Sequence, residues 1–292
     1  MSPHLLRSLA LGALCSLALT GGLVGQDAAP KIEFPAPSPA ATLKQRVGLT
    51  DIEISYSRPS ARGRPIFGGL VPYGTVWRTG ANFATKITFS TPVKLNGTPV
   101  AAGTYELFTI PNRNEWTVII HKDSSDWGAY RYDAKNDVAR FNTTPIALPK
   151  AVETFTIGLN DLRDESATLY LAWENTRVPV KLEVDVASVV LPQIEKVMAS
   201  SAEKKPYFQA ALFYLDRDLN LKQAAGWMDA AIAAQPDAFY MVYHKARLLA
   251  KMGDKPGAIA AAQQSIEIAK KAGGAVKDEY VRLNEALITS LK

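Results

Sequence analysis

The segment from Ser57 to Asn82, SRPSARGRPIFGGLVPYGTVWRTGAN, carries Arg58, Arg62, Arg64 and Arg78 but no lysine, aspartate or glutamate. Guanidinium groups pair with carboxylates or phosphates in planar two-point contacts and stack on aromatic faces. Four of them in one stretch need anions, whether from the protein or from a ligand. Five glycines and three prolines exclude a long helix and a continuous central strand here. Ile66, Phe67, Leu70, Val71, Tyr73, Val76 and Trp77 give the resulting loop enough apolar surface to dock on a core. Carboxylate partners for a docked loop are available at Glu106, Glu115, Asp126, Asp133 and Glu174. Two roles follow. Either the arginines staple the loop to those acids, or Arg58, Arg62, Arg64, Trp77, Arg78, Asn82, Trp127, Glu106 and Glu174 surround a small anionic or carbohydrate ligand.

Other chemistry is sparse. His121, Asp123 and Asp126 form an H-x-D-x-x-D pattern at a strand end. Histidine with carboxylates can hold a metal, but two aspartates in a serine-rich turn serve equally as turn caps, and no metal or other cofactor is expected. His244 falls within a helical segment. No G-x-S-x-G elbow, phosphate-binding G-x-x-x-x-G-K-[ST] loop or G-x-G-x-x-G fingerprint occurs, so no residue is assigned a catalytic role. Trp116 and Trp173 lie on the apolar faces of strands, whereas Trp127 sits in the polar turn DSSDWGAY, where it either plugs the domain end or meets a ligand.

The elements that must position these residues come in two textures. Residues 1–25 have the pattern of a secretory signal peptide: His4 and Arg7, an apolar run to about Leu19, then small residues. Its removal takes away the only cysteine, Cys15, which excludes disulfides, thiolate metal sites and cysteine nucleophiles. The remaining 32 basic and 28 acidic residues are evenly spread, unlike a nucleic-acid footprint. A periplasmic or secreted product with no further membrane span is expected. Residues 26–41 are rich in proline and alanine and read as a tether.

From 42 to 187 the apolar residues alternate. The runs DIEISYS, TKITFS, EWTVIIH, TFTIGL, TLYLAWE and RVPVKLEVDV each place every second side chain on one face. Asn96-Gly97 and Pro111 to Asn114 read as turns, and Pro179 suggests an edge strand or a strand beginning. An antiparallel β-sandwich or partly open barrel follows. From 188 to 292 the period becomes helical. The stretch ending at Pro236 can be laid on that ending at Lys270 with an offset of 34, which matches Ala224 to Ala258 and Met228 to Ala262, and a last helix spans Val276 to Leu291. This spacing is similar to the tetratricopeptide repeat. The fold class is therefore α+β and multidomain, a β-sandwich followed by all-α repeats packed on it or on a second subunit.

The order of YSRPSARGRPIFGGLVPYGTVWRTGAN, AAGTYELFTIP, EWTVII and DWGAYRYD resembles a bacterial domain-of-unknown-function family, number 2911. The resemblance implies an exported bacterial protein with a β-rich domain, often joined to helical repeats, and brings no reaction, cofactor or catalytic residue. The leading expectation is a non-enzymatic binding or scaffold protein whose helices meet a protein partner. The alternative is an envelope hydrolase or carbohydrate-active enzyme using Glu106, Glu174 or a nearby aspartate, which requires two carboxylates about 5 to 9 Å apart on one cleft.

Overall fold

The computed structural model describes residues 32–122, 125, 127–272 and 274–292. The segment read as a signal peptide, Cys15 and the first part of the segment read as a tether lie outside the described residues. In chain order the strands are β1 (Ala40–Val47), β2 (Thr50–Ser57), β3 (Thr85–Phe89), β4 (Val93–Leu95), β5 (Thr98–Val100), β6 (Gly103–Ile110), β7 (Trp116–Lys122), β8 (Asp137–Thr143), β9 (Ile146–Asn160) and β10 (Ser166–Val184). They build two antiparallel sheets, one in the order β1-β2-β3-β6-β7-β8 and one in the order β5-β4-β10-β9. Their apolar faces meet in one core. The alternation explains the burial: Ile52, Ile54 and Tyr56 of β2 point inward, while Asp51, Glu53 and Ser55 face out. The first strand starts at Ala40, two residues inside the segment read as tether, and pairs with β2 along its whole length.

Tight turns set the register. Asn96 and Gly97 both have positive φ, 46° and 81°, as a two-residue hairpin between β4 and β5 requires. Between β1 and β2, Gly48 turns at φ +55°, and a Cβ there would sit 2.6 Å from the Asp164 carbonyl oxygen and from Val186.

The two runs TLYLAWE and RVPVKLEVDV form one strand, β10, of 19 residues. A straight strand of that length would span about 60 Å. Yet the N–H of Val184 donates to the Glu165 carbonyl at 3.0 Å, so the two ends meet and the strand doubles back. The corner is at Glu174, where φ is +51° and the pairing with β9 shifts register on both sides. One residue of slip changes the inward set from Leu169, Leu171 and Trp173 to Val178, Val180 and Leu182. Pro179 is thus neither at a strand beginning nor on an edge strand. It falls between the β9 ladder, which ends at Arg177, and the β4 ladder, which starts at Leu182, where a missing N–H breaks no ladder bond.

Six helices follow: α1 (Ala187–Ala199), α2 (Tyr207–Asp216), α3 (Leu221–Ala234), α4 (Phe239–Lys251), α5 (Lys255–Ala272) and α6 (Ala275–Leu291). The offset of 34 has a physical counterpart. Asn220 caps α3 through the Gln223 N–H, and Asp254 caps the start of α5 through the Gly257 N–H. Ala224 and Ala258, one turn on, are both fully buried, as are Met228 and Ala262. Small side chains at the crossings let neighbouring helices approach closely. Val190 and Phe213 pack on the strand core, and Arg217, which follows the last residue of α2, donates to Glu165 at 2.9 Å while lying 3.9 Å from the Phe213 ring centre.

His244 of α4 accepts from Arg247 through Nδ1 at 3.0 Å. Burial first, then the Arg247 guanidinium, lower its pKa from 6.5 to about 4, with Asp216 opposing. The unfolded chain therefore takes up a proton near pH 6.5 that the fold refuses until about pH 4. The stability of the helical region is expected to be complete above that window, to fall by about 1–3 kcal/mol across it, and to level off below it. Urea unfolding followed by circular dichroism across this pH range, compared with His244→Phe, checks this: the variant should lack that slope.

Candidate functional site

The arginine-rich loop is ordered and docked. At its start, Ala61 N–H donates to the Glu153 carbonyl and Phe155 N–H to the Pro59 carbonyl. At its end, Trp77 and Thr109 exchange both main-chain bonds, at 2.7 and 2.9 Å. Between them, Ile66, Val71 and Trp77 enter the core. Trp77 stacks on Trp173 with ring centres 6.0 Å apart and planes 19° apart, and Phe67, Trp116 and Phe155 meet the pair edge-on or tilted. Trp77 is therefore a core residue. Its indole N–H is satisfied by the Gly80 carbonyl at 3.1 Å.

Three of the four arginines are satisfied by main chain and hydroxyl rather than by carboxylates. Arg58, half-buried, donates to the Phe155 carbonyl at 3.0 Å and to Thr156 Oγ1 at 2.8 Å. Arg64 donates to the carbonyls of Ala61 and Ser60, which ties the loop to itself. Arg62 has φ +51°, its main-chain N–H donates to Glu153 Oε1 at 2.8 Å, and its guanidinium donates to the Pro37 carbonyl at 3.4 Å. The structure does not bring these three together around a common space.

Glu106 and Glu174 are also apart. Glu174 marks the β10 corner, and its carboxylate accepts from the Ile66 N–H at 3.4 Å, joining loop to corner. Glu106 lies on the outer face of the six-stranded sheet between Lys86 and His121 and is only 1% exposed. Its Oε2 is 3.7 Å from His121 Nδ1. The His121 ring faces two carbonyl oxygens, of Lys122 at 2.8 Å and of Asp133 at 3.1 Å. Each ring nitrogen is thus directed at a main-chain oxygen. Among the described residues no group of three His, Cys, Asp or Glu could hold a metal; Asp123 and Asp126 lie outside them. Tyr132 closes this outer pocket, donating to Asp137 at 2.9 Å, and burial followed by the Asp137 carboxylate pushes its hydroxyl pKa up.

Arg78 differs from the other arginines. It is half-buried, its Nε is fully shielded without a hydrogen-bond partner, and its guanidinium makes no hydrogen bond or ion pair with any described residue. The guanidinium rests against Gly128, since a Cβ at that position would lie 3.4 Å from Arg78 Nη1. Next to Gly128 stands Trp127, 55% exposed, whose ring meets that of Phe83, 56% exposed, edge to face at 5.0 Å. Residues 83 and 127 form an isolated antiparallel bridge, and the Gly128 N–H donates to the Asn82 carbonyl at 3.1 Å. Asn82 has φ +60°, and its amide donates to Ser57 Oγ at 3.1 Å, so it shapes the turn from inside. Tyr130, 84% exposed, borders Gly128. Arg78, Asn82 and Trp127 are thus brought together, with Phe83 and Tyr130 added. A cleft of about 720 Å³ lies against β4, β5 and the end of β10, away from this group.

Sequence reasoning missed Phe83 and Tyr130. The signal available was their adjacency to residues already singled out, Asn82-Phe83 and Trp127-Gly-Ala-Tyr130, since a large ring beside a turn glycine has little core to enter.

Residues 38–182 match the family described as Protein of unknown function (DUF2911). The match covers the strand domain, from just before β1 to two residues short of the end of β10, and leaves the helices outside it. No curated protein and no solved structure matches the chain.

The loop arginines are separable by experiment. Arg58→Met removes two charge-assisted bonds from a half-buried group and is expected to cost about 1–3 kcal/mol. Arg64→Met, exposed and bonded only within its own loop, should stay within about 0.5 kcal/mol of the parent. Chemical unfolding monitored by tryptophan fluorescence distinguishes the two.

Proposed function

We propose that this chain is an exported bacterial binding protein without catalysis of its own, in which the strand domain takes a small anionic or carbohydrate ligand at Arg78, Phe83 and Trp127. The observation that supports it is the guanidinium of Arg78, which pairs with no acid among the described residues, beside two half-exposed rings. A half-buried cation without an anion costs free energy, and a ligand carboxylate or similar group would recover it. The rings supply flat apolar surface that folding leaves wet. The leader-like pattern of residues 1–25 supports export. The helical region, with capped helices and buried alanines repeating every 34 residues, supports a tetratricopeptide-like array offering a surface to a protein partner. Among the described residues no helix is long and apolar enough to cross a membrane.

The enzymatic alternative gains no support from its own candidates. Glu106 is sealed beneath Tyr132 and His121 on one sheet, and Glu174 is engaged at the corner of the other, so they do not face one cleft.

Titration of the protein with a panel of small carboxylates and oligosaccharides, read by tryptophan fluorescence and calorimetry, tests the reading. Arg78→Met and Trp127→Ala should each weaken the strongest binder at least ten-fold, about 1.4 kcal/mol, while stability changes by less than about 0.5 kcal/mol. If Arg78→Met instead lowers stability by 2 kcal/mol or more and leaves binding intact, the arginine is a staple and the reading fails.

A further inference from the structure

Resting on that reading, we infer that the ligand is an acidic saccharide, with a uronic-acid carboxylate on Arg78 and sugar rings on Trp127 and Phe83. Three features of the group select this chemistry. First, Arg78 Nε is shielded within the protein, so the guanidinium can present only its Nη side to a ligand. That side suits a carboxylate, with two oxygens and a single charge, whereas a phosphate dianion would call for further cations. Second, the half-exposed rings of Trp127 and Phe83 stand at 77° to one another with ring centres 5.0 Å apart. Two inclined plates of that size suit successive pyranose rings, whose C–H faces are apolar while their edges carry hydroxyls. Tyr130, 84% exposed at the border, adds a phenol that can both donate to and accept from such hydroxyls.

Third, the main chain argues against an extended peptide. A peptide adding to a sheet edge needs unpaired N–H and C=O groups. Here the Phe83–Trp127 bridge uses the backbone locally, and the Gly128 N–H is already given to Asn82. Recognition therefore falls to side chains, as suits a ligand without a peptide backbone. Gly128 keeps the approach open, because a side chain at that position would press on the Tyr130 ring and come into contact with Arg78.

The test uses the full chain and four probes: oligogalacturonate, oligoglucuronate, the methyl ester of the oligogalacturonate, and inorganic phosphate. At least one acid oligomer is expected to bind and to change tryptophan fluorescence, and the ester to bind about ten-fold more weakly or worse. Arg78→Met should bring the acid down to the affinity of the ester and leave the ester unaffected. Arg78→Lys, which keeps the charge but not the planar contact, should fall between, and Trp127→Ala should weaken acid and ester alike. Unfolding curves of the three variants verify that they are folded. Equal affinity for acid and ester, preference for phosphate, acid binding indifferent to Arg78, or no binding of either acid at millimolar concentration overturns the inference. If Arg78→Met and Trp127→Ala still abolish binding of some other member of the panel above, the binding-site reading survives this failure; if neither variant changes the binding of any member, both fall.

Discussion

The stack of Trp77 on Trp173 is the contact on which the rest of the strand domain depends. One ring comes from a loop rich in glycine and proline and the other from the stretch of β10 just before its corner, so a segment without regular structure completes the core. Phe67, Trp116 and Phe155 pack around the pair, and the cluster joins both sheets to the loop. Aromatic groups of this size dominate the apolar area removed from water. Once Trp77 is held, the next residue has little latitude: Arg78 emerges beside Gly128 because its neighbour in sequence is fixed in the interior.

Much of the architecture could be read from the chain itself. The alternation of Ile52, Ile54 and Tyr56, or of Trp116, Val118 and Ile120, fixes which faces turn inward, and Asn96-Gly97 fixes a hairpin, because these signals are local. The 34-residue spacing was legible for the same reason, since each small residue reports the closeness of the next helix. The β10 corner was not. Glu174 is a poor advertisement for positive φ, and the change of inward parity between Trp173 and Val178 looks like two strands unless the pairing with β9 is known.

The arginines show a different blindness. A sequence displays carboxylates but not the carbonyl oxygens that folding brings to a sheet margin, so partners for Arg58 and Arg64 were sought among acids when they were Phe155, Ala61 and Ser60. The same limit applies to His121, whose partners are the main chain of Lys122 and Asp133. Trp127 could be singled out because a large ring in a polar turn is conspicuous, while its pairing with Phe83, 44 positions earlier, is a product of topology alone.

Glu165 occupies a junction of unusual economy. Its carbonyl closes the ends of β10 through Val184, and its carboxylate holds Arg217 at the end of α2. Any tug on the helices, whether from a bound partner or from thermal rocking, is delivered to the seam where the doubled strand is fastened. The two halves of the molecule are thereby mechanically in series, and loosening of the helical part should be felt first at the β9–β10 turn rather than at the distant aromatic end.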